Sequence, residues 1–215
     1  MSGKGQMGNI GGKSIAAVFW GAGGTALKML LQLGTQILLA RLLGPSEYGV
    51  FAIGAIIIGF SGFLSDVGIA YGLIQKDEVA EEDVRFVMAW QLLLGVGISL
   101  AVYVLAEPLA GFFGEPRAGR VIEAMSVLCL LNAMAAPSLN LLKRQLDFRQ
   151  IQLAQIGSYL LGYVVVGLPM AAAGLGVWAL VWAWIVQAAA SGLWMYAKVR
   201  HPLLPLWWHE GARAQ

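Results

Sequence analysis

The residue hardest to ignore in this sequence is Lys28, which stands inside an apolar run from about residue 15 to 40. An ammonium in hydrocarbon costs several kcal/mol unless it meets water or an anion. At 100° per residue, Thr25, Lys28, Gln32, Thr35 and Gln36 fall within about a 100° arc that also holds Gly21. Trp20, Leu27, Leu31, Leu33, Ile37 and Leu38 point elsewhere. Lys28 is about 12 residues, roughly 18 Å, from either end of the run, too far for its stem to reach an interface reliably. The pattern predicts a polar stripe facing a wet cavity or an acidic partner; a structural ion pair is the plain alternative. Asp66 is the candidate partner, on a face of the next run with Ala55, Gly59, Gly62 and Ala70. Small residues of that kind mark helix–helix contact. A Lys28–Asp66 pair that breaks during a conformational cycle is one reading, and a structural Asp66 near a helix end is the other.

Other polar groups recur farther along. Gln152, Gln155, Tyr159 and Tyr163 share one face of a later run. Amides and tyrosines there suit sugar hydroxyls and rings, and equally suit bonds between helices. Asn132, Pro137 and Asn140 share another run, where Pro137 removes one backbone hydrogen bond and predicts a kink. Glu123 and Gln187 are isolated. Asp77, Glu78, Glu81, Glu82 and Asp83 cluster in one link. Such carboxylates can hold a magnesium ion, but they also favour the N-terminus of the helix that follows, which is the ordinary explanation. His201 and His209 both lie near the C-terminus. The HExxH, GxSxG and GxxxxGK[ST] signatures do not occur, so neither a catalytic centre nor a metal or cofactor site is predicted.

The elements that position these residues follow from composition. Of 215 residues, 59% are hydrophobic and only 12% are charged. A soluble fold of this size would expose large apolar patches. Spanning helices need about 20 mostly apolar residues. Runs at about 15–40, 49–75, 86–106, 119–142, 151–173 and 175–197 meet that length, with Gly174 and Gly176 alone separating the last two. The prediction is an all-α polytopic membrane protein of about six transmembrane helices. Residues 1–14 form a cytoplasmic N-terminal segment, 15–200 the helical lobe, and 201–215 a tail on the cytoplasmic surface. The sole cysteine, Cys129, excludes an internal disulfide and reads as a small buried hydrophobe. A net charge of +2 gives no reason to expect nucleic acid.

Orientation follows from the basic residues of the short links. With a cytoplasmic N-terminus, Lys4, Lys13, Lys76, Arg85, Lys143, Arg144, Arg149, Lys198, Arg200 and Arg213 lie inside, against Arg41, Arg117 and Arg120 outside. Both termini are therefore expected in the cytoplasm. Trp178, Trp194, Trp207 and Trp208 fall near helix ends, where indoles favour the interface.

Two stretches carry a resemblance. ARLLGPSEYGVFAIGAIIIGFSGFLSDVGIAYGLIQ and VIEAMSVLCLLNAMAAPSLNLLKRQLDFRQIQLAQI resemble bacterial polysaccharide transporters of the Wzx type, in the multidrug/oligosaccharidyl-lipid/polysaccharide flippase superfamily. The likeness covers roughly residues 15–205 and is carried most by LLGPSEYG, SDVGIAYGLIQ and KRQLDFR. It implies one lobe of a two-lobe flippase. Between the lobes, a cavity would move an undecaprenyl-pyrophosphate-linked oligosaccharide from the cytoplasmic to the periplasmic leaflet of the inner membrane. Lys28, and less directly Arg41, would attract the pyrophosphate, with Gln32, Gln36, Gln155 and Tyr159 beside the cargo. HPLLPLWWHEGARAQ stands where an inter-lobe segment would begin, so the expected partners include a second lobe or a second copy of the chain, besides the bilayer and the lipid-linked cargo. A non-transporting scaffold for polysaccharide synthesis enzymes, a multidrug exporter lobe, and a membrane glycosyl- or phosphotransferase using the acidic link are the competing readings.

Overall fold

The computed structural model describes the backbone of residues 4–65 and 81–199, and side chains within residues 22–62 and 85–199. Asp66, the acidic link Asp77–Asp83 as a set of side chains, and the C-terminal tail lie outside the described residues. Every regular element among the described residues is helical.

The first helical stretch, Lys4–Ser65, is interrupted at Gly44, where φ is 77° and ψ is 170°. It therefore comprises α1, residues 4–43, and α2, residues 45–65, with Pro45 opening the second arm. Proline suits a first helical turn, where its missing N–H has no partner to lose. In an unbroken helix twelve residues span about 18 Å, beyond the reach of a tyrosine. The Tyr48 hydroxyl nevertheless donates to Gln36 Oε1 at 2.5 Å, so the chain folds back on itself at Gly44. The 41-residue, largely apolar stretch from Ala22 to Gly62 thus supplies two arms rather than one overlong span.

The remaining elements are α3 (Glu81–Val104), α4 (Ala106–Phe112), α5 (Ala118–Met125), α6 (Val127–Arg144), α7 (Phe148–Tyr159), α8 (Leu168–Ala172) and α9 (Trp178–Val199). A π-helical stretch, Leu160–Gly167, joins α7 to α8. Ala118–Arg144 and Phe148–Ala172 are each long and apolar enough to cross a membrane, as are Arg85–Val104 and Trp178–Val199. The link AEPLAGFFGEPRAGR is more ordered than its prolines and glycines foretell, because α4 and the start of α5 form within it. At Pro137 the helix α6 continues unbroken; the interruption in that span falls instead at Ser126, whose hydroxyl bonds the Glu123 carbonyl at 2.7 Å. The separation at Gly174 and Gly176 is sharp, with φ of 79° and 57°.

The core lies where α1, α2, α5 and α9 meet, around Leu39, Val50, Phe51, Ile122, Met125 and Leu180. Cys129 is buried in α6. Outside this core the surface is strongly apolar. Leu30, Phe60, Val104 and Leu193 are each more than 60% exposed, as lipid-facing side chains are in an isolated bundle. Helix contacts use small residues: a Cβ at Gly162 would run into the Ala183 carbonyl, and one at Gly95 into the Ala133 side chain. Close backbone approach of this kind drives helix association in lipid.

Candidate functional site

Two polar regions are built into this bundle, and they occupy different ends. The first is a seam between α1 and α7. Lys28 Nζ donates to Gln155 Oε1 at 2.9 Å, and one turn earlier on both helices Gln152 Nε2 donates to Thr25 Oγ1 at 3.1 Å. Equal three-residue steps on the two helices produce this ladder, since residues three apart share a helix face. A Cβ at Gly24 would sit 2.7 Å from Gln152 Cγ, so the glycine lets the two backbones close enough for the bonds to form. Lys28 is half-buried, with a neutral amide rather than a carboxylate as its described partner.

The seam does not lie midway along the bundle. Gln155 is seven residues into α7, about 10 Å from its start at 1.5 Å per residue. Lys28 precedes the Gly44 fold by 16 residues, about 24 Å. The ammonium is therefore nearer the end that carries the KRQLDFR turn. That turn is itself specified locally. Leu146 adopts a left-handed conformation (φ 56°), the Asp147 N–H returns to the Leu142 carbonyl at 3.1 Å, and Asp147 caps α7 by accepting from the Gln150 N–H at 3.2 Å.

Above the seam the other expected residues separate into two groups. Tyr159 is 1% exposed, stacked on Tyr163 with ring centroids 4.7 Å apart. Its hydroxyl lies against Thr35 of α1 without a hydrogen bond of full geometry. Gln36 is engaged by Tyr48, and Gln32 is half-buried on the same helix. Arg41 is exposed near the fold at Gly44, well away from Lys28. The structure thus brings Lys28 together with Gln155, places Tyr159 in the core between them and the fold, and leaves Arg41 apart. Asp66 lies outside the described residues; among those described, Gln155 is the partner of Lys28.

The second region is a clasp at the opposite end, which joins three links that are distant in sequence. Glu47 accepts from Arg117 Nη1 at 3.0 Å and from the Val177 backbone N–H at 2.7 Å. Arg117 Nη2 donates to Ser46 Oγ at 2.9 Å, and its Nε to Glu115 Oε1 at 3.0 Å. The Val177 N–H belongs to the open end of α9, where a carboxylate complements the macrodipole. Gly176 is required beside it: its φ is positive, and a Cβ would meet Glu47 Oε2 at 2.7 Å. Hydrogen bonding from Arg117 holds the Glu115 carboxyl below its ordinary range, and Glu115 raises Arg117 in turn. Sequence reasoning singled out LLGPSEYG as a familiar string but assigned Ser46 and Glu47 no task. The available signal was a pair of polar residues directly after a Gly-Pro break between two apolar runs.

A smaller cavity of about 170 Å³ opens between α2, α3 and α6, lined by Gln91, Asn132, Asn140 and Lys143 among others. Asn132 and Asn140 were visible in sequence as polar groups without a role; Gln91, 3% exposed, was not singled out.

A bundle of apolar helices with a lysine-bearing polar seam and a charged clasp over its links defines a polytopic membrane protein. The chain belongs to the family described as polysaccharide biosynthesis protein, whose sequence profile matches residues 38–213. It is 30% identical over 171 residues to the succinoglycan biosynthesis transport protein ExoT of Rhizobium meliloti (strain 1021), covering 80% of this chain and 34% of that protein. It is 24% identical over 151 residues to the lipopolysaccharide biosynthesis protein WzxC of Escherichia coli (strain K12), covering 70% and 31%. Similarity to the teichuronic acid biosynthesis protein TuaB of Bacillus subtilis (strain 168) is 24% over 148 residues, covering 66% and 30%. The chain spans about a third of the length of these relatives. No solved structure matches.

Proposed function

We propose that this chain is one lobe of a flippase that carries a lipid-pyrophosphate-linked oligosaccharide across the inner membrane, from the cytoplasmic to the periplasmic leaflet, with no enzymatic step. The second lobe comes from further sequence or from another copy of the chain. Both termini face the cytoplasm, in keeping with ten basic residues expected on that side and three on the other.

One observation carries the reading: the Lys28 ammonium is held at 2.9 Å by a neutral amide, inside a helix pair of an otherwise apolar bundle. An amide oxygen neutralises no charge, so an anion arriving there gains the full attraction of the ammonium in a medium of low dielectric. In the proposed orientation the KRQLDFR turn is cytoplasmic, which puts Lys28 about 10 Å inside the cytoplasmic end, where a lipid-linked pyrophosphate is loaded. Gln155, Gln32 and Gln36 supply polar groups along the path and Arg41 a second cation toward the far end; Tyr159, expected beside the cargo, is instead buried in the core behind the seam.

Replacing Lys28 with alanine is expected to abolish export of lipid-linked oligosaccharide, with the chain still inserted in the membrane and the precursor accumulating in the cytoplasmic leaflet. Normal export by that variant would remove the assignment. The bonds Lys28–Gln155 and Gln152–Thr25 also favour a second reading, in which the seam only glues α1 to α7 in a non-transporting scaffold. Lys28→Gln separates the two, because it keeps a donor for Gln155 but no charge. Export survives this change under the scaffold reading and fails under the flippase reading.

A further inference from the structure

We propose that the cavity between α2, α3 and α6 is an inlet that holds ordered water from the KRQLDFR end of the bundle to its middle. The cavity measures about 170 Å³, room for about five waters at about 30 Å³ each. It is small for an organic ligand, since such sites run from about 300 to 1,000 Å³. It is also long. Lys143 stands one residue before the end of α6, and Asn132 twelve residues before it, about 18 Å from that end. Half the thickness of a hydrocarbon core is about 15 Å, so Asn132 is close to the midplane.

What fills the cavity follows from three carboxamides. Gln91 and Asn140 are only 3% and 5% exposed, and both stand on the cavity wall with Asn132. Among the described residues, none of the three forms a hydrogen bond. Their amide atoms open onto the cavity, in contrast to Gln152 Oε1 and the Tyr159 hydroxyl, which are sealed without partners. Each carboxamide offers an acceptor oxygen and two N–H donors. A lone cation would serve the oxygens and leave the donors unmet, and an anion would do the reverse. An acyl chain would serve neither. Water donates and accepts, so it serves both. Lys143, at the mouth, makes another interaction of its own, so the choice of water does not depend on its ammonium. The two flanks of α6 differ accordingly. Asn132 is exposed on the flank toward α2, whereas Met134, 43% exposed, lines an apolar groove toward α9 with Leu131 and Leu193. One helix thus presents a wet flank and a lipid-facing flank. The Lys28 seam joins α1 to α7, so the inlet is separate from it and does not rest on the flippase reading.

The test is thiol accessibility in the full chain, reconstituted in lipid vesicles with Cys129→Ser as background. Asn132→Cys, Ala136→Cys and Met134→Cys are each treated with aminoethyl methanethiosulfonate, a small water-soluble reagent, and the modified fraction is followed by mass spectrometry. The reagent attacks the thiolate, the form that water sustains and hydrocarbon does not. Asn132→Cys and Ala136→Cys are expected to react at least about tenfold faster than Met134→Cys, although all three lie within two turns of one helix. Ala136 is on the same cavity wall, and its replacement keeps all three carboxamides, so a local disturbance at Asn132 does not decide the result. The idea is overturned if both cavity positions react no faster than Met134→Cys, because lipid or another helix would then fill the space. Normal export by Lys28→Ala would leave the labelling pattern untouched, so the two assignments stand or fall separately.

Discussion

The seam and the clasp use similar side chains under opposite conditions. In the seam, one ammonium and three neutral partners lie within apolar helices, and the described bonds are few: Lys28–Gln155 and Gln152–Thr25. In the clasp, a carboxylate, a guanidinium and a second carboxylate sit at links where Arg117 is 53% exposed. Water and salt screen the clasp, so its ion pairs are individually weak and it works through number and geometry. The seam is less exposed, and among the described residues a neutral amide is the partner of its ammonium, so each bond there is screened less. The clasp fixes where helices end. The seam joins the faces of two helices.

The sharpest way to break the clasp is Gly176→Val. The substitution forces a β-branched residue into a left-handed backbone and drives its Cβ into Glu47, so we expect a loss of about 3 kcal/mol, measured by thermal unfolding in micelles. Unchanged melting would mean the clasp is not formed. In the seam, Gln155→Leu removes the acceptor from Lys28 and should cost about 2 kcal/mol. The double change Lys28→Met with Gln155→Leu should recover most of that, because the isolated charge is gone; simple additivity would argue against a coupled pair. Tyr48→Phe deletes the hydroxyl bond to Gln36 across the fold at Gly44 and is worth about 0.6 kcal/mol, the usual size between membrane helices.

The smallest effect concerns Glu115. Its carboxyl is held below the ordinary value of 4.5 by Arg117, so the pair contributes at neutral pH, and that contribution disappears as the pH falls through the depressed folded value. The parent should therefore lose its small advantage over Glu115→Gln on acidification, and high salt should erase the advantage at any pH. An advantage that grows in acid would reverse the assigned sign.

Much of this architecture was legible beforehand because it follows from local chemistry. Six apolar runs predict the spans, Gly174 and Gly176 predict the last turn, and the small-residue faces predict close helix packing. The exceptions are instructive. Pro137 does not end its helix: α6 runs from Val127 to Arg144 with the proline inside it, as membrane helices tolerate. The turn at Leu146 has no glycine to announce its left-handed backbone; the Asp147 cap and the return of its N–H to Leu142 hold it in place. The helical register of Lys28, Thr25, Gln152 and Gln155 was readable, whereas the meeting of the two faces was not.

Hydropathy and helical periodicity settled from the sequence alone that the chain crosses a membrane and that Lys28 is out of place in it. Both depend on near neighbours along the chain, and a bilayer makes the cost of a charge or an unpaired peptide group nearly independent of the rest of the fold. Which groups touch depended on the tertiary structure. Glu47 reaches Arg117 and Val177 across separations of 70 and 130 residues, and Lys28 reaches Gln155 across 127. No local pattern encodes such pairings, because they arise only when the packing of all the helices brings their ends and faces into register.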